Sequence, residues 1–158
     1  MTILGIDLGE RRIGLAIADV DGLSARPLAT VNRARSLAPA DDAATLQRVV
    51  TEQRVTELVV GLPVNANGDR GPMAEGAATW AAAISVRLNL PVALRDERLS
   101  SHLAEQRLGP MPRGRSGGPP SKMQRDRYRE RVDREAAAII LQDELDARHE
   151  ARLEAQRA

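Results

Sequence analysis

Asp7 lies inside the apolar run Ile3-Leu4-Gly5-Ile6-Asp7-Leu8-Gly9. Such a run reads as a buried strand, where an ionised carboxylate is costly unless it is paired, hydrogen-bonded or bound to a cation. An acid kept there is a candidate metal ligand or catalytic group. Three more acids stand where they can join it. Asp96 and Glu97 follow the apolar segment Val92-Ala93-Leu94, at the carboxyl end where open α/β sheets place their ligands, and Asp133 opens a helical stretch. Three converging carboxylates make a hard, oxygen-rich site suited to Mg²⁺ or Mn²⁺. A pair of such ions activates water and stabilises the leaving oxygen in phosphodiester hydrolysis.

Spacing alone leaves that convergence open, and each acid has a structural alternative. Asp7 can accept hydrogen bonds from a neighbouring turn. Glu97 can pair with Arg95 or Arg98 at an exposed strand end. Asp133 can cap its helix, and Asp96 competes with Glu97 for one role.

The elements that must position these acids follow from periodicity. Strands are expected over about 2–8, 13–18 and 26–32, joined by short turns, Asp21-Gly22 among them, into an antiparallel meander. Asp41 or Asp42 caps a helix running to about Gln53. The continuously apolar Leu58-Val59-Val60-Gly61-Leu62 reads as a strand covered on both faces. A helix over about 72–89 places Met73, Ala77, Trp80, Ala81, Ile84 and Leu88 on one face, so Met73 and Trp80 are expected in the core. A strand begins at Pro91, a short helix spans about 100–108, and a final helix begins near Asp133. The Gly- and Pro-rich residues 109–121 read as a mobile loop. The expected organisation is one domain over 1–146 with a basic loop at about 109–131. Residues 147–158 form a polar helical extension or a disordered tail.

Composition bounds the function. The chain has 158 residues, 42% hydrophobic and 28% charged, which suits one globular domain. Without cysteine, disulfides, thiolate metal sites and a cysteine nucleophile are excluded. No apolar stretch is long enough for a membrane span and no signal peptide is evident, so a cytoplasmic protein with no membrane partner is expected. Net charge is only +1, yet nine basic residues against four acids lie between Arg107 and Glu135, a patch suited to a polyanion or simply to solvent. Aromatic residues are nearly absent, which excludes an aromatic stacking platform. His102 reads as a surface residue.

Five groups of residues in order resemble the YqgF/RuvX family, the Holliday-junction-resolvase-like group of pre-16S rRNA nucleases. They are Ile6-Asp7-Leu8-Gly9 with Arg12-Ile13-Gly14-Leu15-Ala16; Ala25-Arg26-Pro27-Leu28; Val60-Gly61-Leu62-Pro63 with Asn65 and Gly68; Asp96-Glu97-Arg98-Leu99-Ser100; and Val132-Asp133 with Ala136-Ala137 and Ile139-Ile140-Leu141. The resemblance implies an RNase H-like α/β fold: a mixed five-stranded sheet, the β1-β2-β3 meander plus two parallel strands, flanked by helices. It implies that Asp7, Glu97 and Asp133 are the catalytic residues and hold the metal, two Mg²⁺ or Mn²⁺ ions. Asp7 would bridge both, and Glu97 and Asp133 would each complete one coordination shell. Arg11, Arg12, Asn65 and Arg98 are the candidates for substrate contact. The expected activity is a nuclease on structured RNA, maturing the 5′ end of pre-16S rRNA in association with a pre-ribosomal particle, as a monomer or homodimer. The alternatives are a Holliday-junction resolvase on branched DNA and a non-catalytic nucleic-acid-binding assembly factor. The Arg/Gly/Pro stretch from Pro110 to Arg131 departs from the family pattern, being longer and poorer in lysine, so substrate grip does not carry over there.

Overall fold

The structure is a computed structural model, and it describes residues 1–19, 21 and 24–158. Gly22 of the expected Asp21-Gly22 turn lies outside the described residues. Strands β1 (Thr2–Leu8), β2 (Arg12–Asp19) and β3 (Arg26–Asn32) pair antiparallel in sequence order. Strands β4 (Val55–Pro63) and β5 (Val92–Glu97) add on the other side of β1 in parallel, giving the order β3-β2-β1-β4-β5. This is the five-stranded mixed sheet expected from the sequence.

Side-chain alternation divides the core into two layers. On one face Leu4, Ile6, Ile13, Leu15, Leu58 and Val60 pack against helices α1 (Pro39–Gln53) and α2 (Pro72–Leu88) through Leu46, Trp80 and Ile84. On the other, Ile3, Ala16, Ala18 and Val59 meet Ala137, Ile140, Leu141 and Leu145 of helix α4 (Lys122–Arg157). Small residues let that helix lie directly on the strands. A Cβ on Gly5 would stand 2.7 Å from Leu141 Cβ, and one on Gly14 would collide with the Asp133 carbonyl oxygen. Helix α3 (Ser100–Leu108) packs on α4 through Ala104, Tyr128, Val132 and Ile139. No helix among the described residues is long and apolar enough to cross a membrane.

Three local expectations are corrected. Helix α4 begins at Lys122, well before Asp133, with Ser121 and Gln124 forming a capping box. Its first turns are so charged that they read as loop. Yet Tyr128 and Val132, spaced i and i+4, continue the stripe of Ala136 and Ile139 onto α3. Helix α1 is capped by Ala38, not Asp41 or Asp42, because Pro39 fits the first helical position. Asp42 is instead fully buried, 2.8 Å from Arg33 Nη2, and it accepts a hydrogen bond from Trp80 Nε1 at 2.8 Å. Met73, expected in the core with Trp80, is 72% exposed although its neighbour Ala74 is fully buried, because Met73 turns toward the open cleft at the strands' carboxyl ends.

Candidate active site

The parity of the strands sets which acids face α4. Asp7 shares a face with Ile3 and Gly5, which meet Leu141, and Glu97 shares one with Ala93, which packs on the same layer. Asp96 points the other way and pairs with Arg70 at 2.9 Å in solvent. Strand geometry therefore separates the two neighbouring acids, and Glu97 is the one in the cleft. Asp133 lies in the fourth turn of α4, not at its cap, with its backbone pressed on Gly14 of β2. Asp7, Glu97 and Asp133 all line one open cleft of about 540 Å³ at the carboxyl ends of β1, β4 and β5, together with Met73, Arg98 and Leu99.

The electrostatics of the cleft are those of acids short of cations. Asp7 has no hydrogen-bond or ion-pair partner among the described residues. Burial, reinforced by the charge of Asp133, pushes its carboxyl from 3.8 up to about 7. Glu97 is 9% exposed and pushed up to about 8. Burial is the main cause, followed by a hydrogen bond with Asp143 and that residue's charge; Arg95 opposes the rise, and Asp7 adds to it. Asp133 is raised by burial against the pull of Arg12, whose Nε donates to Asp133 Oδ2 at 2.6 Å.

These groups fit a hard divalent cation in chemistry: oxygen donors on one face, with one carboxylate left without a counter-charge. They do not close into a coordination sphere, since no three His, Cys, Asp or Glu groups among the described residues are placed to hold one ion. Asp7 and Glu97 stand on β1 and β5, with β4 between them.

The other sequence candidates fall at the rim or are engaged. Arg11 is exposed in the β1–β2 turn and lines a smaller recess with Gly9, Arg12 and Asp133. Arg12 is committed to Asp133. Arg98 lines the main cleft and donates from Nη1 to the Ala66 carbonyl at 2.8 Å. Asn65 closes a turn, its amide N–H donating to Asp69 O and its carbonyl accepting from Gly68 N–H. It is outside the cleft lining, although its neighbours Val64 and Ala66 belong to it. His102 is exposed beside Gln106. Asp143 was missed. Its signal is phase: Asp133, Ala136, Ile140 and Asp143 follow helical spacing, so an acid returns to the sheet-facing side one turn past Ile140.

Strand order and the two helical layers define an RNase H-like α/β domain, with three acids at its mouth. Its fold is that of Thermus thermophilus RuvC. The structure of that protein in complex with Holliday junction substrate has a TM-score of 0.54 and 18% identity, covering 94% of this chain and 96% of that one. The family model for RuvX, described as Holliday junction resolvase, matches residues 1–147. A Chloroflexus aggregans protein named "Putative pre-16S rRNA nuclease" is 44% identical over 147 residues, 93% of this chain and 94% of its own length. One of the same name from Anaeromyxobacter dehalogenans is 45% identical over 148 residues, covering 94% of this chain and 98% of its own length. The chain belongs to the RuvX family, whose curated relatives are named as nucleases.

Proposed function

We propose that this protein is a divalent-metal-dependent nuclease that hydrolyses phosphodiester bonds in structured RNA and processes the 5′ end of pre-16S rRNA. The observation that carries the reading is the unpartnered carboxylate of Asp7, held in one cleft with Glu97 and Asp133. Burial raises the proton affinity of all three, Asp133 adds to the rise at Asp7 and Asp7 to that at Glu97, and a bound cation would remove that penalty. The names of the family's relatives supply the substrate class.

Asp7, Glu97 and Asp133 are the residues that would hold Mg²⁺ or Mn²⁺, and two such ions would supply an activated water and Lewis acidity at the phosphate. The chain's own contribution is placement. The Gly14 contact sets the depth of Asp133 against the sheet, and Arg12 fixes the rotation of its carboxylate. Arg98 and Arg11 sit at the rim, where they can take non-bridging phosphate oxygens, and Asn65 shapes the loop beside them. The attacking water oxygen bonds to phosphorus, the 3′ oxygen leaves, and the products carry a 5′-phosphate and a 3′-hydroxyl. The unit that does this is residues 1–146, with the basic stretch 109–131 gripping the backbone and 147–158 an extension. A pre-ribosomal substrate would place the protein in the cytoplasm.

A second reading, cleavage of branched DNA, is favoured by the family's description as Holliday junction resolvase. The same acids would serve it. One experiment addresses both: purified protein is given a pre-rRNA fragment or a four-way DNA junction with Mg²⁺ or Mn²⁺, beside Asp7→Asn and a chelator control. Metal-dependent product from wild type alone on RNA supports the reading, and product only on the junction moves it to DNA. Equal product from Asp7→Asn would sink the proposed site. Binding without cleavage by any form would leave an assembly factor.

A further inference from the structure

The rim of the cleft carries a feature that the acids do not explain. Leu99 follows Glu97 and Arg98 at the start of α3, in the left-handed region at φ 64°, with 69% of its surface exposed. A leucine is disfavoured on both counts. The left-handed region suits glycine or asparagine, and the N-cap position of a helix suits a side chain that can accept a hydrogen bond. Here no side-chain cap is made. Such strain persists only where the surroundings hold it, and they do. Val64 N–H donates to Glu97 O at 3.2 Å, Arg98 Nη1 to Ala66 O at 2.8 Å, and Leu103 N–H to Leu99 O at 2.9 Å. The segment preceding Leu99 is thus tied to the Val64–Ala66 wall of the cleft, and Leu99 itself to the first turn of α3, with its side chain presented to solvent. Met73 lines the same cleft, 72% exposed.

We infer that Leu99 and Met73 form an apolar clamp that takes one unstacked nucleobase beside the scissile phosphate. This rests on the proposed nuclease reading. The occupant follows from the surroundings. An apolar pair within one cleft of three carboxylates and Arg98 fits a group with a flat apolar face joined to a phosphate, which describes a nucleotide. Leucine and methionine are side chains that wedge between base steps. No aromatic side chain is free to stack on a base instead, since the chain's one Trp and one Tyr are both buried and it has no Phe. The clamp makes the enzyme select nucleic acid in which a base is already unpaired next to the cut, because a paired base must first be extracted from its stack.

The test separates stacking from chemistry. Leu99→Gly removes the side chain while keeping the backbone conformation, since glycine adopts positive φ freely. Binding is followed by anisotropy with Asp7→Asn protein, which takes cleavage out of the measurement. The substrate is the strand that wild type cleaves, with 2-aminopurine in an unpaired position next to the cut. The expected result is about tenfold weaker binding for Leu99→Gly, the scale of removing one leucine side chain from an apolar contact, and loss of the 2-aminopurine fluorescence change at saturating protein. In the cleavage-competent enzyme KM rises while kcat on a matched fully paired substrate moves little. Leu99→Met restores most of both readouts, and Val86→Ala, even more exposed but on the far part of α2, alters neither. If Leu99→Gly binds and changes the 2-aminopurine fluorescence like its parent, the clamp is refuted while the nuclease reading stands. If wild type neither binds nor cleaves any nucleic acid, both fall together.

Discussion

Replacing Asp7 by asparagine should stabilise the metal-free protein at neutral and alkaline pH. The folded state holds the Asp7 proton up to about pH 7, whereas an ordinary aspartate releases it near 3.8. Between those values the folded chain binds a proton that the unfolded chain does not, so stability falls as pH rises through the window and is flat above it. The shift is roughly three pKa units, which at about 1.36 kcal/mol each sets a ceiling of about 4 kcal/mol. Asp7 opens onto a solvent-filled cleft that screens its charge, so about 1–2 kcal/mol is the reasonable share. For a domain of this size that is a rise of about 3–6 °C in Tm. The assay is thermal denaturation of wild type and Asp7→Asn in chelator at pH 5 and pH 8. The variant should be the more stable at pH 8, with roughly a third of that difference at pH 5, following the linkage window. Mg²⁺ should raise the wild type toward or past the variant and leave the variant unmoved. A variant less stable than wild type at pH 8, or a gap that ignores pH, would show that Asp7 is satisfied by protein groups and would remove the argument for a cation.

Three other variants probe the scaffold and the surface. Gly14→Ala drives a methyl group into the Asp133 carbonyl, so it should cost about 1–3 kcal/mol and also displace the acid. Urea midpoints would read the first effect, and cleavage at low temperature, where the variant stays folded, should still be lost. Asp42→Ala strands Arg33 beside the core and should cost about 3–5 kcal/mol. Trp80, the chain's one tryptophan, loses its Asp42 partner in that variant, so its fluorescence should shift before unfolding begins. Arg127, Arg129 and Arg131 are exposed on the first half of α4 and have no acid partner among the described residues. Changing all three to alanine should move Tm little, yet reduce the salt slope of nucleic-acid binding by about 2–3, which filter binding across a salt series would read.

Much of the fold was legible because its signals are local. The apolar runs of β1 and β4, the alternation in β2 and the Gly and Pro breaks place nearly every element, and five motif groups in order supply the family. The site was legible through one anomaly, an acid in an apolar strand. Other features resisted for stated reasons. The first turns of α4 hide their apolar stripe under charge, since Tyr128 and Val132 are apolar only in the context of α3. Asp42 reads as a helix cap because its partners Arg33 and Trp80 come from other elements. Met73 fits the helical period yet lines the open cleft instead of joining the layer that buries Ala74, Ala77 and Trp80.

The sequence by itself determined the sheet's strands and, through motif groups in order, the family, and it offered Asp7, Asp96, Glu97 and Asp133 as candidate acids, because these depend on residue type and short-range spacing. Only the tertiary structure decided that Glu97 and not Asp96 enters the cleft. The register of β5 against β4 and the layer above it choose the inward face, and adjacent residues on a strand point in opposite directions. The structure likewise decided that Asp143 approaches Glu97 and that Arg12 holds Asp133, contacts between residues far apart in the chain. Carboxylate energies depend on burial and on neighbouring charge, quantities that exist only once the chain has folded.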